Sequence, residues 1–358
     1  MAAAVTGLCA CAQQIQVVRP SAAQLQSMEP MPVVEVLSQD SLAAQDTYSF
    51  ASVNVIPGAG VPIMAAAAGG ALGMAIVNAE IRAEARRFAE HHVQPLRVAL
   101  QGFDANGAVS GSLQQALARQ PGMFGNYVVA KSLTNTSGQR VLIVSNYAMT
   151  PDFAAVQVIA KVTIGGTGAD AGKPIYGNTL VYQSASLSVP AKTTADIERM
   201  VSAENHRYAA LDMQGQIVKA NAATTAQSPQ ANQLRLQVAS EQLEHRRLLK
   251  QARASFWDAD TRAQYLCEAW AAHQGEALKT ALQASGAEIA HMLQLDLTAQ
   301  VPANTSAEPR TVSSQGGRSI EYVAGGRMMS LATGDADGSN IATGRAPVTV
   351  TMPPMKGR

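Results

Sequence analysis

The sequence predicts an α+β fold, and three observations predict it. An Ala/Gly-rich stretch passes without punctuation into a charged stretch with helical spacing, so one long helix is expected over about 63–92. Between Tyr127 and Val189 four runs of strand-forming residues are separated by turn signals, which predicts a four-stranded antiparallel meander. From Pro190 onward helical spacing returns, and the region closes on a C-terminal β-hairpin. Composition agrees with a mostly globular chain: of 358 residues, 47% are hydrophobic and 15% charged, and the net charge is +1. That charge balance, with only 4% aromatic residues, leaves neither a basic footprint nor stacking platforms, so nucleic acid is excluded as an expected partner.

The elements are justified in order as follows. From Gln13 to about Thr47 the chain is rich in Gln, Ser, Ala and Pro with little periodicity, apart from a run from Val33 to Leu37 that suits a strand. We read 11–47 as a tether; at roughly 5 to 6 Å times the square root of about 35 residues, it would reach some 30 Å. Val55 to Ala79 is dominated by Ala, Gly, Val, Ile and Met, and no charge falls between Asp46 and Glu80. Gly69, Gly70 and Gly73 give this segment the small-residue spacing of a glycine zipper, which suits either close packing in a domain core or insertion and self-association by residues 63–77. Beyond it, Ile81, Ala85, Phe88, Ala89 and Val93 fall on one helical face.

Asp104-Ala-Asn-Gly107 reads as a turn, with a short helix over Ser112 to Arg119. Strands are expected at Tyr127 to Leu133, Arg140 to Ala148, Ala155 to Ile164 and Tyr176 to Val189. In the third, Val156, Val158, Ala160, Val162 and Ile164 alternate with Gln157, Ile159, Lys161 and Thr163, which turns one face to a core. Thr193 with Asp196 three residues later is a capping-box start. Further helices are expected over about Asn232 to Ser255 and Thr261 to Ala284, the latter with an apolar stripe through Leu266, Trp270, His273, Ala277 and Ala281. Ser319 to Val323 and Arg327 to Leu331 flank Ala324-Gly-Gly326 as the hairpin. Residues 332–358 are expected to be a disordered tail. The expected division is therefore 1–10 leader remnant, 11–47 tether, 48–189 helix plus meander, 190–331 helical region with hairpin, and 332–358 tail.

The opening, Met1 to Ala12, has no charged side chain, and its residues Leu8, Cys9, Ala10 and Cys11 resemble the lipobox of bacterial lipoproteins. The resemblance implies a signal peptide cut before Cys11, a diacylglycerol on its thiol and acyl chains, palmitate among them, in a membrane. It implies the same for place: Ala12, rather than Asp, after the lipidated Cys favours the outer membrane, facing the periplasm. Because a charged leader start is missing ahead of Leu8, the natural start is expected upstream.

Chemistry is harder to find. Gly-x-Ser-x-Gly is absent, and Ser110-Gly-Ser112 lacks its spacing. His91 and His92 are neighbours on a helix and diverge by about 100°, and no His-Glu-x-x-His occurs, so no metal site is expected. Glu241, Glu244 and His245 beside Arg246 and Arg247 read as a charged helix face, His273 as a core histidine, and Cys267 as a buried structural thiol rather than a nucleophile. Gly334-Asp-Ala-Asp-Gly-Ser-Asn340 alternates carboxylates but lacks the closing acid of an EF-hand. Gly165-Gly-Thr-Gly168 sits between strands and opens no helix, so it reads as a hairpin loop.

The sequence thus predicts a lipid-anchored envelope protein that binds or scaffolds and does not catalyse, without a cofactor. Its partners would be the membrane, through the anchor, and an envelope protein or a second copy of itself. The alternatives are a membrane-inserting or self-assembling protein that uses the 63–77 helix, and an envelope hydrolase with an atypical site.

Overall fold

A computed structural model describes residues 17–26, 28–37, 39–45, 71–131, 141–166, 173–212, 215–216, 218–219, 229–298 and 309–333. The chain divides into two units, Met1–Ser188 with Leu266–Val348, and Val189–Tyr265 with Thr349–Arg358. The first unit is built on a mixed sheet of nine strands: β1 (Met31–Val36), β2 (Ala43–Ala44), β3 (Phe124–Ala130), β4 (Val141–Met149), β5 (Val156–Gly165), β6 (Pro174–Gln183), β7 (Arg310–Gln315), β8 (Arg318–Tyr322) and β9 (Met328–Ala332). Their order is β3-β1-β4-β5-β6-β9-β8-β7, with β2 pairing β4. The fold is mixed α/β in content, and the strands do not form the expected simple meander.

The correction has a specific cause. Strands β4, β5 and β6 are antiparallel neighbours as their short connections require, but β3 is not the fourth member. Strand β1 lies between β3 and β4 and is parallel to both, with Val33 opposite Tyr127 on one side and Val141 on the other. The expected tether therefore contributes β1 to the sheet interior, with Met31 and Val33 almost fully buried. Pro32 is accommodated because the β1–β3 register shifts between Met31 and Val33, and a bulge is where a strand tolerates a residue without an N–H. The expected hairpin is present as β8 and β9, but β9 also pairs in parallel with β6, and β7 adds an edge, so the hairpin extends the one sheet.

Helices cover one face of this sheet. Helix α1 (Ala22–Gln26) is a single turn; α2 (Ala71–Ala99) turns Ala89, Val93 and Leu96 inward, and α3 (Ala105–Leu117) turns Val109, Leu113 and Leu117 inward. Pro95 does not end α2 as expected, since it lies on the exposed side, where the carbonyl it leaves free can be solvated. The alternation in β5 places Val156, Val158, Ala160, Val162 and Ile164 on the helix-covered face, as expected. The opposite face is buried at its centre too: Ile159, Val181 and Met329 cluster there with Val323 and Leu331, and the Gln157 amide donates to Gln183 Oε1 at 2.7 Å.

In the second unit α4 (Thr194–Ala210) begins with the expected capping box, in which Thr193 and Asp196 exchange hydrogen bonds, and it packs on α5 (Pro229–Arg253) through Tyr208, Leu211, Leu234 and Val238. Helix α6 (Ala259–Thr298) starts in this unit and continues into the first. It is two helices in one: Ala272 is extended, and His273, Gln274 and Gly275 are left-handed, with φ of 51°, 59° and 73°. The expected single apolar stripe is broken here, and His273 is exposed instead of buried. Gly275 suits its position twice over, because its φ is positive and a Cβ would lie 3.3 Å from that of Ala99.

Two contacts tie the first unit together. Gly286 lets the second part of α6 meet α3 at backbone distance; a Cβ there would fall 2.3 Å from Leu113 N and 2.6 Å from Val109 O. Asp296, one turn from the end of α6, has a fully buried side chain that accepts from Arg19 Nε at 2.8 Å, Tyr176 OH at 2.9 Å, Asn178 Nδ2 at 2.6 Å and Tyr322 OH at 2.6 Å. Burial and the adjacent carboxylate hold both phenols well above their ordinary range, so they stay protonated donors. The Arg19 guanidinium also lies over the Tyr322 ring at 4.7 Å, and Val18 bridges Gly177 of β6 by two 2.9 Å hydrogen bonds.

Candidate functional site

A recess of about 300 Å3 lies past the C-terminal end of β1, where the segment 37–42 meets the end of α2 and the start of α3. Such crevices outside the carboxyl ends of parallel strands are a usual place for ligands in open α/β sheets. Its polar lining includes Gln39, Asp40, Ser41, Arg97, Gln101, Asp104, Asn106 and Tyr147, and Leu42, Leu100 and Phe103 supply most of the apolar part.

Each polar group is positioned by backbone that needs it. Strand β1 stops at Val36 and β2 begins only opposite Ala148, so Tyr147 of β4, paired with Val158 of β5 on one side, has no strand on the other. The Gln39 side chain takes that place: its Nε2 donates to Tyr147 O at 2.6 Å and its Oε1 accepts from Tyr147 N at 3.1 Å. Asn106 Nδ2 donates to Gln39 O at 2.8 Å, and Arg97 Nε donates to Leu42 O at 2.9 Å, which pins both ends of the segment. The left-handed Gly102 reverses the chain between α2 and α3, and Asp104 then caps α3 by accepting from Gly107 N at 2.8 Å. Asp104-Ala-Asn-Gly, expected as a turn, is this helix start.

The recess is electrostatically one-sided. Tyr147, buried, donates its OH to Asn106 Oδ1 at 2.9 Å, and its phenol is pushed up to about 12 by burial and by the charges of Asp104 and Asp40. Arg97, the cation of the lining, is occupied by Glu90, to which it donates through Nη1 and, at 3.2 Å, through Nη2. Among the described residues neither Asp40 nor Asp104 has an ion-pair partner, although Asp104 is held by an amide in the first turn of α3.

The residues singled out from sequence are not brought together. Cys11, Gly69 and Gly70 lie outside the described residues, as do Gly334 to Asn340; Gly73 falls in the first turn of α2, where only the backbone is described. His92 is buried against Phe88 and Phe153, with ring centroids at 4.4 and 5.6 Å. Ser110 is buried inside α3, and Ser112 Oγ donates to Val109 O at 3.0 Å. Cys267 is buried, and burial pushes its thiol up to about 12. His245, expected on an open charged face, instead sits between α4 and α5: its Nδ1 is 2.8 Å from Glu204 Oε1 and its ring stacks on Tyr208 at 3.9 Å. Among the described residues no three His, Cys, Asp or Glu side chains group as metal ligands do, and no helix is long and apolar enough to cross a membrane.

No family model matches the chain, and neither the curated proteins nor the solved structures contain a significant match to it.

Proposed function

We propose that the chain is a lipid-anchored protein of the bacterial cell envelope, on the outer membrane and facing the periplasm, that binds and does not catalyse. The anchor rests on the resemblance of Leu8, Cys9, Ala10 and Cys11 to a lipobox. Val17, where the described chain begins, is six positions beyond Cys11, so an anchor at Cys11 would hold the body within about 20 Å of the bilayer. The observation that supports binding is the recess beside Tyr147, whose two carboxylates without ion-pair partners among the described residues, phenol and amides suit a small amine-bearing ligand.

The anchor is tested by palmitate labelling of wild type and Cys11→Ala, with label and membrane retention both expected to depend on Cys11. Binding is tested by calorimetric titration with putrescine and ethanolamine. Asp40→Asn is expected to weaken binding about tenfold and leave the melting temperature unchanged; binding indifferent to Asp40→Asn would remove the recess from the reading. The alternative of insertion or self-assembly through 63–77 is favoured by one observation, that α2 already runs as helix from Ala71. Gly73→Asp would then abolish oligomer formation or membrane retention without unfolding the sheet.

A further inference from the structure

Helix α5 buries Leu234 and Val238 against Tyr208 and Leu211. At 100° per residue its opposite side gathers Leu236, Ala239, Leu243, Arg246, Arg247 and Lys250 into one stripe. Leu236 and Leu243, two turns apart, are 72% and 65% exposed, and Phe256 just past the helix is 75% exposed. The acids of α5 do not neutralise this side. Glu241 is turned to Arg207 of α4 at 3.6 Å, and Glu244, on the flank, is 3.9 Å from Arg247. Arg246, Lys250 and Arg253 line a recess of about 490 Å3 together with Leu249 and Ala254, and none of these three cations has an ion-pair partner among the described residues. A chain of net charge +1 has thus concentrated cations and large exposed apolar side chains on one helix face.

We propose that this face of α5 rests on an anionic phospholipid bilayer, a second membrane contact that builds on the envelope reading. The charge pattern complements acidic headgroups, and the recess has room for one phosphate-bearing headgroup between Arg246, Lys250 and Arg253. The leucines decide between a bilayer and a soluble polyanion. They stand out from the surface on the same side as the cations, where they can enter the headgroup and acyl boundary, whereas an acidic peptide or a nucleic acid would leave them in water. Each cation held near an anionic surface raises partitioning about fivefold.

The test uses the full chain with Cys11→Ala, so that acylation contributes nothing, and vesicles of phosphatidylcholine with or without 30% phosphatidylglycerol. Sedimentation with the anionic vesicles only, weakened by salt, is expected. Reversing two charges in R246E/K250E should lower binding by more than tenfold, and L236S/L243S by severalfold, with circular dichroism unchanged in both. Absence of binding to anionic vesicles, or binding unaffected by the charge reversal, would overturn the proposal. So would equally tight binding of polyglutamate or duplex DNA that is indifferent to L236S/L243S, since the surface would then be a site for soluble polyanions. The outcome is separable from that of the anchor: palmitate label without vesicle binding removes only the α5 contact, and vesicle binding without label removes only the anchor.

Discussion

Replacing Asp296 by alanine takes away one carboxylate and strands four donors, so its cost can be worked from the partners left behind. The Arg19 side chain is 12% exposed and loses its counter-charge, and removing one partner of a buried ion pair costs about 3–5 kcal/mol. The hydroxyls of Tyr176 and Tyr322 each lose their acceptor inside the core, at about 1–3 kcal/mol apiece when no substitute is found. Asn178 is better placed, since its Nδ2 also lies 3.2 Å from Gly326 O. Solvent entering the vacated volume recovers part of the loss, so a net destabilisation of about 5 kcal/mol is expected, which is close to the whole stability of many domains. Asp296→Asn keeps one oxygen acceptor and should cost about half as much. Urea unfolding followed by tryptophan fluorescence is the assay. The chain has two tryptophans, and Trp257→Phe leaves Trp270, which donates to Phe153 O at 3.0 Å inside the first unit, as the reporter for that unit. A loss under about 1 kcal/mol for Asp296→Ala would refute the argument that these four donors depend on this carboxylate.

Three further outcomes follow from the same reasoning. Gly286→Ala should destabilise the first unit by about 3 kcal/mol, because its Cβ meets not only the Ser112 hydroxyl, which could turn aside, but also the backbone of α3, which cannot; the urea midpoint measures it, and no change would mean that the two helices do not touch there. In the second unit Glu204 is held below its ordinary 4.5, first by its hydrogen bonds from Arg207 and then, against the opposing effect of burial, by His245. A depressed carboxyl stabilises above its unfolded value and loses that contribution as pH falls through the folded one, so Glu204→Gln should flatten the acid limb below about pH 4.5 and cost about 1 kcal/mol at neutral pH, read from melting temperature against pH. Cys267 shows the opposite sign: burial raises its thiol from 9 to about 12, so its contribution is complete below pH 9 and is lost as pH rises towards 12. With Cys9 and Cys11 changed to serine, Cys267 should react with a thiol reagent at pH 8 over a hundredfold more slowly in the native protein than in urea; comparable rates would show the site to be open.

What the sequence made legible is what is local. The Thr193 and Asp196 box lies within one turn, the β5 alternation needs only a period of two, and the pairing of β4, β5 and β6 follows from their order and short connections. The place of β1 was not legible because it depends on Val33 meeting Val141 across more than a hundred residues, and because Pro32 and Glu35 interrupt the hydrophobic signal. Glu35 is buried nonetheless, accepting a hydrogen bond from the Tyr127 OH, whose phenol burial and the Glu35 charge hold far above its usual range. The kink in α6 left a single mark, Gly275, since His273 and Gln274 are ordinary helix residues by type. The recess beside Tyr147 was missed for a related reason. Asp104 and Asn106 were read as a turn, and nothing in the order of residues announces that a glutamine side chain will complete a strand edge.

The contact of Val18 and Arg19 with β6 and α6 also sets where the body yields to tension. If the chain is anchored at Cys11, a pull from that side would meet, among the described residues, first the Val18 bridge to Gly177 and the Arg19 guanidinium, and pass from there to Asp296 and its three other donors on β6 and β8. Force is thus shared among three elements in the interior rather than peeling one edge strand. An anchored body fastened this way would shed its first few residues under strain only after a buried carboxylate had been uncovered, which makes Arg19 the mechanical end of the leash.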